Sequence, residues 1–280
     1  MDKASIIGRR LLHRNSIPKV VAYVLLTLAA GTVILPFFWG LLGAFKPNWE
    51  IMRMPPTLFP QEWTLANFSG LKEAFPVART YFNSLFITIT VTVVQILTST
   101  WTGYALAKFD FPGRNLFFLA ILATMMVPFF IILVPLYVMV VGFGWIDNYL
   151  GLIMPLIYTA FGIFLLRQFS MTIPDDLLDA ARIDGGSEIW IFFRVSMPLL
   201  RAPIGALGIF TFTGIWGDFL WPLFIISKAE LRTLPLALSV LTSINPSVQI
   251  AHTGMSRWGI LMAGDLIAVV PVLVVFFLFQ

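Results

Sequence analysis

The chain has 280 residues, 59% of them hydrophobic and 11% charged, with a formal net charge of +4 and a mean hydropathy of +0.90. A soluble domain carries about 25% charged residues, so this surface is too poor in charge for water and suits lipid. The absence of cysteine excludes disulfides and thiolate metal sites, and dispersed basic residues without a recognised motif argue against nucleic acid as a partner.

A helix that crosses a bilayer needs about 20 apolar residues. An N-terminal arm, 1–19, precedes an uncharged stretch between Lys19 and Lys46 that predicts a first span over about 20–45. That stretch exceeds a signal-peptide core of about 7–15 residues. Pro36, Phe37, Phe38 and Trp39 near its end offer no small-residue cleavage site, so the span is read as retained. Arg79 and Lys108 bracket a second span, about 80–107. Arg114 and Asp147 bracket a third, about 115–142, in which Pro128 and Pro135 each remove a helix hydrogen bond and predict a bend or break. Asp147 and Arg167 bracket a fourth, about 148–167. A fifth covers about 203–227 with Asp218 inside it, and a sixth about 258–280 with Asp265 inside it. Backbone groups in hydrocarbon must bond within their own segment, so the spans are helices. The expectation is an all-α integral membrane protein with six transmembrane helices, forming a single domain over 20–280.

Basic residues in short loops set orientation. Lys3, Arg9, Arg10, Arg14 and Lys19 lie in the arm, Lys108 and Arg114 after the second span, and Arg182, Arg194 and Arg201 after the fourth; the loop after the third has none. The N-terminus and the two basic loops are therefore expected in the cytoplasm, with the loops from Lys46 to Arg79 and from Lys228 to Arg257 outside. His13 and His252 lie far apart and are read as surface residues, with no metal cluster.

The loop over about 170–202 is amphipathic. Pro174 suits a first helical position, and Asp175 and Asp176 suit the positive end of the helix dipole. Leu177, Leu178 and Ala181 recur at helical spacing, with Asp179 and Arg182 on another face. Gly185 and Gly186 predict a left-handed stop, Ser187 an N-cap, and Ile189, Phe192 and Phe193 a second short helix that Pro198 ends. Within this loop stands Asp179-Ala180-Ala181, then Arg182-Ile183-Asp184 and Gly185, and nine residues later Val195-Ser196-Met197-Pro198. That spacing resembles the cytoplasmic loop of the permeases of ATP-binding-cassette importers, Glu-Ala-Ala, three residues, Gly, nine residues, Ile, one residue, Leu-Pro. It departs at Asp179, Val195 and Met197, each of which keeps charge or apolar character. The wider segment from Ile173 to Leu199, with Trp216-Gly217-Asp218-Phe219-Leu220-Trp221-Pro222-Leu223 and Trp258-Gly259-Ile260-Leu261-Met262-Ala263, is similar to the carbohydrate-uptake branch, especially maltose-permease G-type and glycerol-phosphate E-type subunits. Permeases of that branch continue past the position of Gln280 with a short basic, glycine-containing tail, so the chain is expected to continue.

The resemblance implies a coupling site at Asp175, Asp176, Leu177, Leu178, Asp179, Ala180, Ala181, Arg182, Asp184, Gly185, Gly186 and Pro198. It implies that two ATPase subunits bind ATP and Mg, while this chain holds no cofactor; no G-x-x-x-x-G-K-[ST] loop stands in the sequence. It further implies a homologous second permease, an external solute-binding protein, and a bacterial or archaeal inner membrane location. Intramembrane charges default to functional hypotheses. Asp218, among Trp216, Phe219 and Trp221, fits a sugar pathway in which rings stack on the solute, or else an interfacial aromatic belt. Asp265 is a second candidate, with Asn83, Gln95 and Asn148 weaker ones. The absence of Lys and Arg inside the spans leans against an anionic solute. A secondary transporter using Asp218 and Asp265 as coupling carboxylates is the alternative, but it leaves the loop without a role. A membrane enzyme lacks a catalytic constellation.

Overall fold

The computed structural model describes residues 16–243 and 257–279. Lys3, Arg9, Arg10, His13, Arg14, His252 and Gln280 lie outside the described residues. All regular structure among the described residues is helical. Where the sequence predicts one domain over 20–280, the chain groups into two compact units, one from Met1–Leu71 with Pro246–Leu266 and one from Lys72–Asn245 with Ile267–Gln280.

In the first unit the helix Ser16–Gly43 leaves every side chain from Lys19 to Phe38 exposed, as a span that faces lipid does. Beyond it, Lys46 and Glu50 are 2% and 1% exposed and pair at 3.9 Å. Two buried charges are tolerable only when their remaining hydrogen-bonding capacity is used. Here the Lys46 ammonium donates to the Thr57 hydroxyl at 3.0 Å and to the Thr57 carbonyl. The Thr57 hydroxyl donates to Glu50, and the Gln61 N–H reaches both Glu50 oxygens at 3.1 and 2.9 Å. Burial pushes the Glu50 carboxyl up, but those bonds, one from the Glu62 backbone and the Lys46 charge together hold it below its ordinary value. Asn67 ties this loop back by donating to the Ala44 and Lys46 carbonyls, each at 2.9 Å.

The second unit is built on the helix Val77–Lys108. It packs against Ala160–Ser170 so closely at Gly103 that a Cβ there would sit 2.7 Å from the Arg167 backbone nitrogen. Small residues at such crossings let membrane helices pack backbone to backbone. Three single helices, Lys19–Gly43, Val77–Lys108 and Trp258–Phe279, are long and apolar enough to cross a membrane, and the other apolar stretches are broken. The third stretch in chain order is Arg114–Met125 and Phe129–Gly142, bent by 100°. Pro128 sits at the N-cap of the second piece with an extended backbone, whereas Pro135 lies inside that piece without ending it. The fourth is Tyr149–Leu156 and Ala160–Ser170, bent by 40°. The fifth is Arg201–Trp216, an interruption at 217–219, and Leu220–Ile225. Up to six helices are long and apolar enough to cross a membrane when the bent pairs Arg114–Met125 with Phe129–Gly142, Tyr149–Leu156 with Ala160–Ser170, and Glu188–Leu199 with Arg201–Trp216 each count as one span.

Candidate functional site

The helix after Pro174 is Asp175–Ile183, with Pro174 at the N-cap, one position earlier than predicted. Gly185 adopts φ +85°. Its N–H reaches the Arg182 carbonyl at 3.0 Å, and the Gly186 N–H reaches back to Ala181 at 2.9 Å. These are the two bonds of a Schellman stop, which needs the left-handed residue that glycine supplies without a Cβ penalty. Ser187 caps the next helix by accepting the Trp190 N–H.

Pro198 does not end that helix. Glu188–Ile191 passes into a π-turn, Phe192–Ser196, then Met197–Leu199, which holds Pro198 in its first turn. A proline is tolerated in a first turn, where its missing N–H has no intrahelical partner to lose. The chain turns by 77° into Arg201–Trp216 only after that.

The two short helices are joined by charge. Arg182 donates to Asp179 at 2.6 Å and to both oxygens of Glu188 at 2.7 and 3.3 Å. The Glu188 bond, then the Asp179 bond, holds the Arg182 proton more firmly than usual. Leu178 is buried among Tyr104, Leu166, Ile173 and Ile191, with Ala181 half-buried beside it. Leu177, expected to hold the helix with them, instead faces outward, as do Asp176, Ala180, Ile183, Asp184 and, on the second helix, Ile189 and Trp190. Spacing alone placed Leu177 and Leu178 together, but adjacent residues point about 100° apart on a helix. Asp175 faces Lys108.

The pathway candidates separate by burial. Trp216 and Trp221 are 4% and 0% exposed, so neither offers a ring face to a solute or to a lipid interface. Their indole N–H groups donate to Ala268 at 2.8 Å and Gly151 at 3.0 Å. Asn83 is enclosed, donating to the Glu230 and Arg232 carbonyls and accepting from Tyr149. Gln95 is buried, donating to the Leu156 carbonyl and accepting from Thr211 at 3.1 Å. Asn148 is a helix cap for Leu150. All five are packing or capping groups. Asp218 is half-buried, and its Oδ1 accepts the Leu220 and Trp221 N–H groups at 2.9 and 3.3 Å, capping the half-helix that follows the interruption. Phe219 is exposed, and so, in the first unit, is Asp265.

Four residues not singled out in the sequence line up with Asp218: Phe210, Thr213, Gly214 and Gly217 are exposed at helical spacing. The signal was available in the small and polar residues at 213, 214 and 217. Lys108 and Glu188 were also missed as site residues, Lys108 because it served only as a span boundary.

In the second unit, broken apolar spans lead into a glycine-turned helix pair. Residues 95–280 match the family described as binding-protein-dependent transport system inner membrane component. The arabinooligosaccharides transport system permease protein AraQ of Bacillus subtilis is 36% identical over 88% of this chain and 86% of its own length. The sn-glycerol-3-phosphate transport system permease protein UgpE of Pectobacterium atrosepticum is 33% identical over 93% of this chain and 92% of its own. The fold is shared with a chain in the crystal structure of a bacterial ABC transporter involved in the import of the acidic polysaccharide alginate, with a TM-score of 0.83 at 21% identity over 95% and 96% of the two chains.

The chain belongs to the binding-protein-dependent transport system inner membrane component family. It is the membrane-embedded permease of an ATP-binding-cassette importer, a transport subunit and not itself an enzyme, and such a permease works in a complex with an ATPase and a binding protein. This membership does not favour the secondary-transporter reading.

Proposed function

We propose that the chain forms half of the pathway for a sugar, an oligosaccharide or a sugar-like solute such as glycerol phosphate, and is driven through the helix pair at 175–199. Relatives named for arabinooligosaccharides, lactose, diacetylchitobiose and glycerol 3-phosphate have a hydroxyl-rich solute in common. The observation that carries the coupling reading is the outward face of the pair. Leu177, Ile183, Ile189 and Trp190 are exposed beside Asp176 and Asp184, on a helix whose buried side is already satisfied by Leu178. An amphipathic helix with a second apolar face suits a groove on a partner. That partner is the ATPase, present twice and holding ATP and Mg, alongside a homologous second permease and an extracytoplasmic binding protein. Following the basic residues, the pair and the N-terminus face the cytoplasm of a bacterial or archaeal cell. The solute meets the Phe210, Thr213, Gly214 and Gly217 face of the fifth span, with Asp218 accepting from hydroxyls and Phe219 stacking; Asp265 faces the second permease.

The test is purification of the tagged chain with its neighbours, followed by ATPase assays with loaded binding protein. Co-purifying ATPase subunits with stimulated hydrolysis are expected. Gly185→Val, which forces a β-branched residue into a left-handed backbone at a cost of roughly 1–2 kcal/mol, is expected to stay in the membrane and lose the stimulation. Recovery of the chain without ATPase, or normal stimulation in Gly185→Val, overturns the reading. A ligand screen on the binding protein identifies the solute.

A further inference from the structure

The helix Val77–Lys108 is fastened at both of its ends, to two segments that the distribution of basic residues puts on opposite sides of the membrane. At one end the Lys108 side chain is only 6% exposed. A buried ammonium needs acceptors, and it has two, the Ile173 carbonyl at 2.5 Å and Asp175 Oδ1 at 2.7 Å. Both belong to the entry of the outward-facing helix. Displacing the segment from Ile173 to Ile183 away from Lys108 strips both acceptors from a side chain that is shielded from water, so this segment and Val77–Lys108 are held together. At the other end Asn83 is 0% exposed, both of its N–H groups are used and its oxygen accepts a bond. Its two N–H groups go to Glu230 at 2.8 Å and Arg232 at 3.0 Å, and its oxygen takes the Tyr149 hydroxyl at 2.7 Å. Next to it, Ser84 accepts the Leu234 N–H at 2.7 Å, and Arg79 donates to the Glu230 carbonyl at 3.3 Å. The segment 230–234 thus cannot shift without the helix. Between the clasps the helix has no proline and no break. From Asn83 to Lys108 it runs about 37 Å at 1.5 Å per residue, more than a hydrocarbon core of about 30 Å.

We infer that Val77–Lys108 is a strut that carries displacement between the 229–234 segment and the ATPase-facing helix pair, with Asn83 and Lys108 as the positioning residues at its ends. This rests on the proposed function. A rigid element of this kind transmits motion only while both clasps hold.

Because the chain has no cysteine, a single Ala229→Cys, at an exposed position, reports on the far end of the strut. The experiment uses the whole reconstituted complex with cysteine-free partners. It compares the maleimide labelling rate of Ala229→Cys before and after the ATPases are trapped with ATP and vanadate, a probe that needs no solute. Trapping is expected to change that rate by about 10-fold, the size of an ordinary coupling between sites. With Lys108→Met or Asn83→Leu added, the change is expected to disappear when the labelling rate is normalised to the trapped nucleotide per complex. The two together are expected to do no more than either alone, since cutting a strut twice equals cutting it once. Lys108→Arg, which keeps the cation, is expected to retain most of the response. Ser84→Ala leaves the fold intact by removing one acceptor and almost no volume, and is expected to reduce the response about 3-fold, near the worth of one hydrogen bond. An undiminished response in Lys108→Met, Asn83→Leu and Ser84→Ala, or no response in the parent, overturns the strut while leaving the importer reading in place. If no ATPase accompanies the chain at all, the importer reading fails and takes the strut with it.

Discussion

Asp147 holds φ +53° in the loop after the third span, and its Oδ1 accepts the Ser227 and Lys228 N–H groups at 2.6 and 2.9 Å. The Lys228 N–H is the main reason its carboxyl titrates below the ordinary range; burial opposes this, and the Ser227 N–H and the Lys228 charge reinforce it. Between the lowered folded value and the ordinary value of about 3.9, the unfolded chain binds more protons than the folded one, so stability rises with pH across that window. The contribution is fully present above the ordinary value and is lost as pH falls through the folded one. Asn tolerates the left-handed backbone but carries no charge. Asp147→Asn is therefore expected to unfold at a lower temperature than the parent at neutral pH and to show a flatter decline on acidification. Thermal unfolding of the purified complex from pH 7 downward checks this, and parallel curves for the two proteins would falsify it. The same residue scale explains why the glycine corner was legible in the sequence. A Schellman stop is made by consecutive residues, so Gly185, Gly186 and Ser187 announce it without help from the rest of the chain. Trp216 and Trp221 were not legible in that way, because their partners, Ala268 and Gly151, come from distant sequence.

Among the helices, Val77–Lys108 crosses Ala160–Ser170 with no room for a side chain at Gly103. A side chain at Gly103 meets backbone, which cannot swing aside as a side-chain tip can: the Arg167 nitrogen at 2.7 Å and the Leu166 carbonyl carbon at 3.0 Å. Gly103→Leu is expected to lower stability by about 1–3 kcal/mol or more, as overpacking does. A Cβ at Gly214 would meet nothing within 4 Å. Gly214→Leu is expected to unfold at the parent temperature yet to reduce solute uptake by narrowing the exposed face of the fifth span. Thermal unfolding and uptake measured side by side decide both, and equal stability of the two variants contradicts the packing argument. Uncharged length was enough to reveal the spans, because lipid filters out charge wherever the chain crosses it. It did not reveal their breaks. Pro128 and Pro135 are the same residue seven positions apart, yet the chain turns only at Pro128, where it can leave the helix and restart. A missing N–H marks where a helix is weak, and the surrounding packing decides whether it bends there.

For the molecule as a whole, assembly and solute passage are expected to be separable. Asp218 does two things at once: one oxygen caps Leu220–Ile225, and the carboxylate borders the exposed face of the fifth span. Asp218→Asn keeps a capping acceptor and loses the charge, whereas Asp218→Ala loses both. Both variants are expected to retain the ATPase subunits and to import more slowly, with Asp218→Ala alone losing about 1 kcal/mol of stability, the usual worth of a cap. Wild-type uptake in both would remove Asp218 from the pathway. The π-turn at Phe192–Ser196 has a consequence of a different kind. Such a turn holds one residue more than an α-turn, and one residue advances a helix by about 100°. The extra residue therefore sets the azimuth at which the glycine corner projects from the fifth span. Trading this loop between related permeases, or between species, succeeds or fails on the number of residues from Gly186 to Arg201 before it depends on which residues they are.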